Sequence, residues 1–501
     1  MANTASQAAA RLWQHAGLPQ STLEHLHLPG DDPLPSSFLL GSAAQATIGV
    51  AALAAAQLLA LRAGEGVVDV AVPVQDAVAE FRSEHVATLD GEAVFEWDEL
   101  AGQYRTMDGW IRPHTNWRHH KEGFLDLLGL PHNAKKADLA AALLDREADQ
   151  VAEAAMERGL VCTAMRSFEE WDAHPQGQAA HSRDASAPFT LTKLDSRPPK
   201  PFPPLISRKP LEGVRVLDLT RVIAGPVAGR TLAAYGADVL WVTSPNLPSL
   251  PGLDFDTSRG KRSIHLDLRC PTDRATFTSL LSTADVLLQS YRPGGLNSLG
   301  FGIEEVRKVN PDIVYASLTA WGAVDGPAAE KGGPWARRKG FDSLVQFACG
   351  MGEAEGRAWG EFERGSEAKE KETVPKALPC QALDHGSGYI LAFGIMAALY
   401  HRATTGGSYL LTNTLLSTAH FIRSLGRRSP FEAFGRPDIK IETVNELRAR
   451  GQMATCSGFE GKTVEYVRHA AKFEGDVKVG WERAPAGLGA DKVEWLPRQH
   501  E

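Results

Sequence analysis

From Val214 onward the chain alternates short β-branched runs with helix-forming stretches, and this alternation limits the fold more than any other feature. "VRVLDLT" (214–220) is a strand signal ending at a loop. "AGPVAGRTLAAYGA" carries helix formers and closes on glycine, and "DVLWVTS" (238–244) is the next strand. "SIHLDL", "DVLLQSY" and "DIVYASLTAW" continue the series, with "PTDRATFTSLLSTA" and "GIEEVRKV" as helices between them. Strands separated by helices of this length build βαβ units and a mostly parallel sheet. Such sheets bind ligands in the loops at the carboxyl ends of their strands. Function is therefore expected after Thr220, Ser244, Tyr291 and Trp321.

Those loops carry residues suited to anions. In "DLTRVIAGPVAG", Arg221, Ala224, Gly225 and Pro226 lead into a helix, whose N-terminus attracts negative charge. No GxGxxG is present, so a dinucleotide fingerprint is not supported. "TSRGKRS" places Arg259, Lys261 and Arg262 around a glycine, which suits phosphates. "QSYRPGG" brings Tyr291 and Arg292 to a third strand end. Each loop is also readable as ordinary solvated connection; together they predict a pocket for a large polyanion. Downstream, "ALPCQALDHGSGYILAFGIMAALYHR" sets Asp384 ahead of a long apolar helix, either as its N-cap or as a chemical group. His385 follows, but neighbouring side chains diverge, which argues against an Asp–His dyad.

At 501 residues the chain exceeds one ordinary domain. A net charge of -8 excludes a general nucleic-acid binder while leaving room for a local basic pocket. Cys162, Cys270, Cys349, Cys380 and Cys456 are odd in number and lack a CxxC pair, so they read as reduced thiols rather than disulfides or a zinc site. With no HExxH, GxSxG or P-loop, metal and triad-hydrolase readings have no support. The N-terminus lacks a basic-then-apolar leader pattern, and "ATIGVAALAAAQLLALRAG" reads as a buried helix rather than a membrane span. A cytoplasmic protein without membrane partners is expected.

The proline-rich stretch 184–210 reads as an extended linker. It separates a first unit (1–183) from a large domain (211–425) and a C-terminal return segment (426–501). The charge-dense segment Glu361–Lys376 reads as a solvated loop. An internal repeat is also readable. An apolar helix, a turn and a strand recur over 47–71 and 388–412, pairing Ala51 with Ala392, Leu58 with Leu399 and Gly66 with Gly407. In that overlay Asp384 falls opposite Ala43.

Taken in order, "LEGVRVLDLTRVIAGPVAGRTLAAYGADVL", "RGKRSIHLDL", "ADVLLQSYRPGGLNSLGFG", "NPDIVYASLTAWG", "GFDSLVQFACG" and "ALDHGSGYILAFGIMAALYHRATTGGSY" resemble the family III CoA-transferases, the CaiB/BaiF family. "GQYRTMDGWIRPHTNW" resembles the family's small-domain strand pair, so the whole chain resembles fused members with a degenerate, partial first copy. The resemblance implies an α/β fold: a Rossmann-like large domain, helical connectors and a smaller α+β domain. Family members interlock as dimers, which leaves a homodimer open here.

The resemblance also implies a reaction between an acyl-CoA and a carboxylic acid acceptor, with coenzyme A as substrate and no tightly bound cofactor. Asp384 would be the nucleophile, forming first an anhydride and then an aspartyl-CoA thioester. Backbone N–H groups of Gly386 and Gly388 would support the oxyanion. CoA contacts would fall on Arg221, Val222 and Ala224, on Ser258, Arg259 and Lys261, on Ser290, Tyr291 and Arg292, and on Lys339. An ordinary aspartate is ionised at pH 7 and needs no base. Two departures stand out: Trp241 and Thr243 occupy positions where the family has lysine and glutamate. Racemases of the family carry histidine at the Phe341 position. Phenylalanine cannot take a proton, so racemisation, with His385 as substitute base, is an alternative, as is a CoA-binding pseudoenzyme.

Overall fold

The computed structural model describes residues 4–181, 187–326, 329, 332–365, 373–459, 461–485 and 487–498. Its largest sheet has seven strands: β1 (Phe189–Lys193), β2 (Arg215–Leu219), β3 (Asp238–Thr243), β4 (Arg262–His265), β5 (Val286–Gln289), β6 (Val314–Thr319) and β7 (Tyr409–Thr414). Their order is β4-β3-β2-β5-β6-β7-β1. All neighbours are parallel except β7 and β1. The βαβ alternation therefore gives the Rossmann-like sheet that the sequence predicts. The chain leaves β2 toward β3 and β4, then crosses back to β5. That reversal opens a crevice at the carboxyl ends of β2 and β5.

Strand β1 lies inside the segment read as a linker. Its prolines fall before and after Phe189–Lys193, and the strand takes an edge position, where backbone pairing is needed on one side only. The charge-dense segment also differs from the expected loop at its start, because a helix spans Met351–Arg364. Residues 366–372 of that segment lie outside the described residues.

Five helices position the site: α1 (Leu40–Ala63), α2 (Arg118–Leu128), α3 (Ala224–Ala234), α4 (Asp342–Ala348) and α5 (Ala382–Thr405). Helix α1 is rich in Ala and Leu, strong helix formers, and stops at Gly64, whose φ of 69° provides the left-handed cap. Helices α1 and α5 have 24 residues each and pack on one another, and α3 packs on α5. Both long helices are apolar enough to cross a membrane, yet 89% and 100% of their most apolar windows are buried inside the protein. Ala43 and Asp384, opposite each other in the sequence overlay, both fall in the first turn of their helices.

The main core draws on residues from both sides of 184–210, so the chain before that segment does not pack as one body. Residues 100–162 hold a separate small core around the antiparallel strands Tyr104–Arg105, Trp110–Pro113 and Cys162–Ala164. The return segment is tied to the N-terminal part by two small sheets. Lys462–Val467 pairs with Thr88–Leu89, and Lys472–Phe473 pairs with Val70–Ala71.

Candidate active site

A cavity of about 650 Å³ opens where β2 and β5 end. Arg221, Val222 and Ala224 line it from the first loop, and Ser290, Tyr291 and Arg292 from the second. Lys339 and Asp384 line it as well. Eight of the residues singled out from the sequence thus meet at one place, although they come from four separate segments.

Asp384 is only 8% exposed and sits at the third position of α5, not at its cap. The capping group is a different acid, Asp342 of α4. Its Oδ2 accepts from Leu383 N at 2.8 Å and Asp384 N at 2.9 Å, and Gln346 Nε2 donates to Oδ1. Among the described residues the Asp384 carboxyl has no hydrogen-bond partner. Burial pushes its pKa well above the ordinary carboxylate range, and the charges of Asp342 and Glu84 push the same way. Burial likewise raises Asp342, to about 7, against the opposing hydrogen bonds from Asp384 N and Leu383 N. Burial strips hydration from the anion, and with the two neighbouring acids it works against the ready ionisation expected of an ordinary aspartate. Once ionised, the same group is a stronger nucleophile for lacking that hydration.

Gly386 and Gly388 also take another role. Both lie past the first turn of α5, where backbone N–H groups belong to the helix ladder. Neither lines the cavity. A Cβ on Gly388 would stand 2.6 Å from Val227 Cγ1 and 2.7 Å from Ala224 O, so this glycine lets α3 and α5 approach closely. His385 points away from the site. It is fully buried, bonds Glu84 Oε2 at 2.9 Å and stacks on Phe81.

The basic loop 257–263 lies outside the cavity lining. Arg259 pairs with Asp256 at 2.9 Å and Lys261 with Asp218 at 2.8 Å, all four side chains being buried. Ser258 is buried as well. The two cations are thus paired with buried carboxylates and do not reach the cavity where phosphate contacts were expected of them. Trp241 is similarly internal, donating its indole N–H to Thr220 O at 3.0 Å.

Five cations do reach the cavity: Arg221, Arg269, Arg292, Arg338 and Lys339. Arg269 is paired with Asp267 and Arg338 with Glu153. Arg292 has no ion-pair partner among the described residues. Arg221 lies 5.0 Å over the ring of Trp117, a contact between the large domain and the N-terminal part. Among the described residues no group of three or more His, Cys, Asp or Glu side chains is arranged to hold a metal ion.

Sequence reasoning missed Trp117, His119 and His120, which line the cavity from the start of α2, and it missed Asp342. The signal for the first three was the run "PHTNWRHH", three histidines and a tryptophan in eight residues. Asp342 lay within the quoted "GFDSLVQ" but carried no mark of its own.

Val222 has a φ of 75° at the cavity wall. A β-branched residue in the left-handed region is strained by about 1–3 kcal/mol. Val222→Gly should relieve that strain, offset partly by the greater freedom of glycine in the unfolded chain. The expected result is a net gain of about 1 kcal/mol in urea unfolding. A stability loss would show that the loop is held by side-chain packing instead.

A buried carboxyl thus faces a cation-rimmed cavity at the switch point of a parallel sheet. Residues 211–424 match the profile of CoA-transferase family III, and this segment is a domain of that family. A relative from Mycobacterium tuberculosis named "Probable fatty acyl-CoA transferase" is 35% identical over 40% of this chain and 48% of its own length. The acetyl-coenzyme A transferase nodX of Hypoxylon pulicicidum is 30% identical over 61% of this chain and 51% of its own. A formyl-CoA:oxalate CoA-transferase of Rhodopseudomonas palustris is 33% identical over 41% of this chain and 46% of its own. The chain thus spans about half the length of the curated relatives it matches.

Proposed function

We propose that this protein is a CoA-transferase that moves CoA from an acyl-CoA to a carboxylic acid, with Asp384 as nucleophile. The observation that carries the reading is a buried Asp384 carboxyl, without a hydrogen-bond partner among the described residues, on a cation-rimmed cavity within the family III domain. In the proposed sequence the carboxylate attacks the thioester carbonyl, the C–S bond breaks and CoA leaves as thiolate. The thiolate then attacks the aspartyl carbonyl of the anhydride, releasing the first acid and leaving CoA on Asp384 as a thioester. The acceptor carboxylate attacks that thioester to form a new anhydride, and the released CoA thiolate attacks its acceptor-side carbonyl to give the new acyl-CoA. Arg221, Arg292 and Lys339 are assigned to the phosphates of CoA, whose charge they complement, and Tyr291 to its adenine. The N-terminus of α3 at Ala224 adds a favourable dipole.

The test is to incubate the protein with acyl-CoA, trap with hydroxylamine or borohydride, and map the modification by mass spectrometry. Modification at Asp384 supports the reading. α-Deuterium exchange without an adduct would support the racemase instead, and CoA binding with neither would leave a binding protein. His385 gives the racemase no help, being buried against Glu84.

The pH profile should carry the same signature. Because the folded pKa of Asp384 is raised, the nucleophilic anion becomes more abundant as pH rises. The kcat/KM is therefore expected to go on climbing above about pH 5, rather than level off there as for an exposed aspartate. A profile flat above about pH 5 would fit an unperturbed carboxylate of pKa about 3.9 and contradict this assignment.

A further inference from the structure

We infer that His120, supplied by the N-terminal part of the chain, donates a hydrogen bond to the thioester carbonyl oxygen as Asp384 attacks. The inference rests on the proposed role of Asp384 and adds to it the group that receives the developing charge. Such a group is needed, because attack on the carbonyl carbon moves an electron pair onto oxygen before the C–S bond breaks and CoA leaves. The backbone of α5 does not provide it. Its first-turn N–H groups at Leu383 and Asp384 are both given to Asp342, and Gly386 and Gly388 lie inside the helix.

His120 lines the same cavity as Asp384. It is 3% exposed, and its Nε2 is buried with no hydrogen-bond partner among the described residues. An unsatisfied buried nitrogen is costly unless some occupant of the site completes it. The ring is held from behind: its Nδ1 lies 3.5 Å from Nδ1 of His114, and His114 stacks on Phe341 with 3.7 Å between ring centres. Two neutral imidazoles in this arrangement share one proton between the facing Nδ1 atoms. With that proton on His114, the proton of His120 sits on Nε2 and is available to donate. Burial, with the positive charges of His119, Lys339 and Arg292, pushes the pKa of His120 down to about 3, so the imidazole remains neutral at working pH. A neutral donor stabilises an oxyanion without placing a second buried charge in the cavity wall.

The test uses the full chain with His120→Leu and His120→Gln, and acetyl-, butyryl-, octanoyl- and palmitoyl-CoA as probes. Hydroxylamine-trapped adduct at Asp384 is followed in single turnovers, CoA affinity by calorimetry and folding by thermal melting. Leu should slow adduct formation about 10²–10³-fold. CoA affinity should hold within about threefold, and Gln, which keeps a donor, should recover at least about tenfold of the lost rate. The inference is overturned if Leu reacts within about threefold of the unsubstituted protein, or if Leu and Gln lose rate, affinity and melting temperature together, as a packing role would require. If the unsubstituted protein itself forms no Asp384 adduct with any probe, the nucleophile assignment falls, and this inference with it.

Discussion

Asp384→Asn should abolish CoA transfer, by at least about 10³-fold in kcat/KM, while making the protein more stable at neutral pH. The loss follows because an amide oxygen is neutral and cannot form the anhydride. The gain follows from linkage. Asp384 has a raised pKa in the folded protein, so between the unfolded value, about 3.9, and the folded value the native state binds more protons than the unfolded one. Its stabilising contribution is full below the unfolded pKa and declines as pH rises through the folded pKa. Asparagine has no proton to lose, so the variant and the original should unfold alike near pH 3.5. They should diverge as pH rises above the unfolded value, with the variant the more stable of the two. Urea titrations across that range, with CoA binding measured in parallel, check both halves. A variant less stable than the original at pH 8 would show that the ionised carboxyl has a partner supporting it.

The second large effect is expected far from the reacting atoms, at Asp256. Its Oδ2 meets Arg230 NH1 at 2.7 Å and Ser83 Oγ at 2.7 Å, and its Oδ1 meets Arg259 NH2 at 2.9 Å. All four side chains are buried. Burial works against the charge on Arg230, and Asp256, foremost among its partners, with Tyr389 and Glu80 more than offsets it. Asp256→Ala leaves two guanidinium groups inside the protein without their anion, a situation that costs about 3–5 kcal/mol. It also cuts a tie between the N-terminal part, through Ser83, and the large domain. Chemical denaturation should register the full loss, and a change under about 1 kcal/mol would mean that water reaches the two arginines.

The parts of this molecule that follow local rules were legible in the sequence. Period and turn chemistry located the parallel strands, and strand ends located Arg221, Tyr291 and Arg292 at the cavity. What failed was anything decided by a partner distant in sequence. Lys261 looks like a phosphate ligand because a linear reading cannot place Asp218, 43 positions earlier, against it. Asp384 looks like a cap because Asp342, which does the capping, lies 42 positions earlier on another helix. Trp117 and His120 escaped notice because the wall they form exists only once the small core at 100–162 docks on the sheet.

The pairing of α1 with α5 bears on how the chain is made. Helix α1 ends at Ala63 and α5 begins at Ala382, so α1 leaves the ribosome roughly 320 residues before the surface that covers it. At roughly 5–20 residues per second, that is an interval of about 15–65 s during which a helix of Ala and Leu waits without its mate. Loop closure over such a distance also slows the search for the right contact. Biosynthesis of this protein should accordingly lean on holding chaperones while the nascent chain is incomplete. Chains halted before residue 382 should be retained by them, and chains released after residue 405 should be free to close.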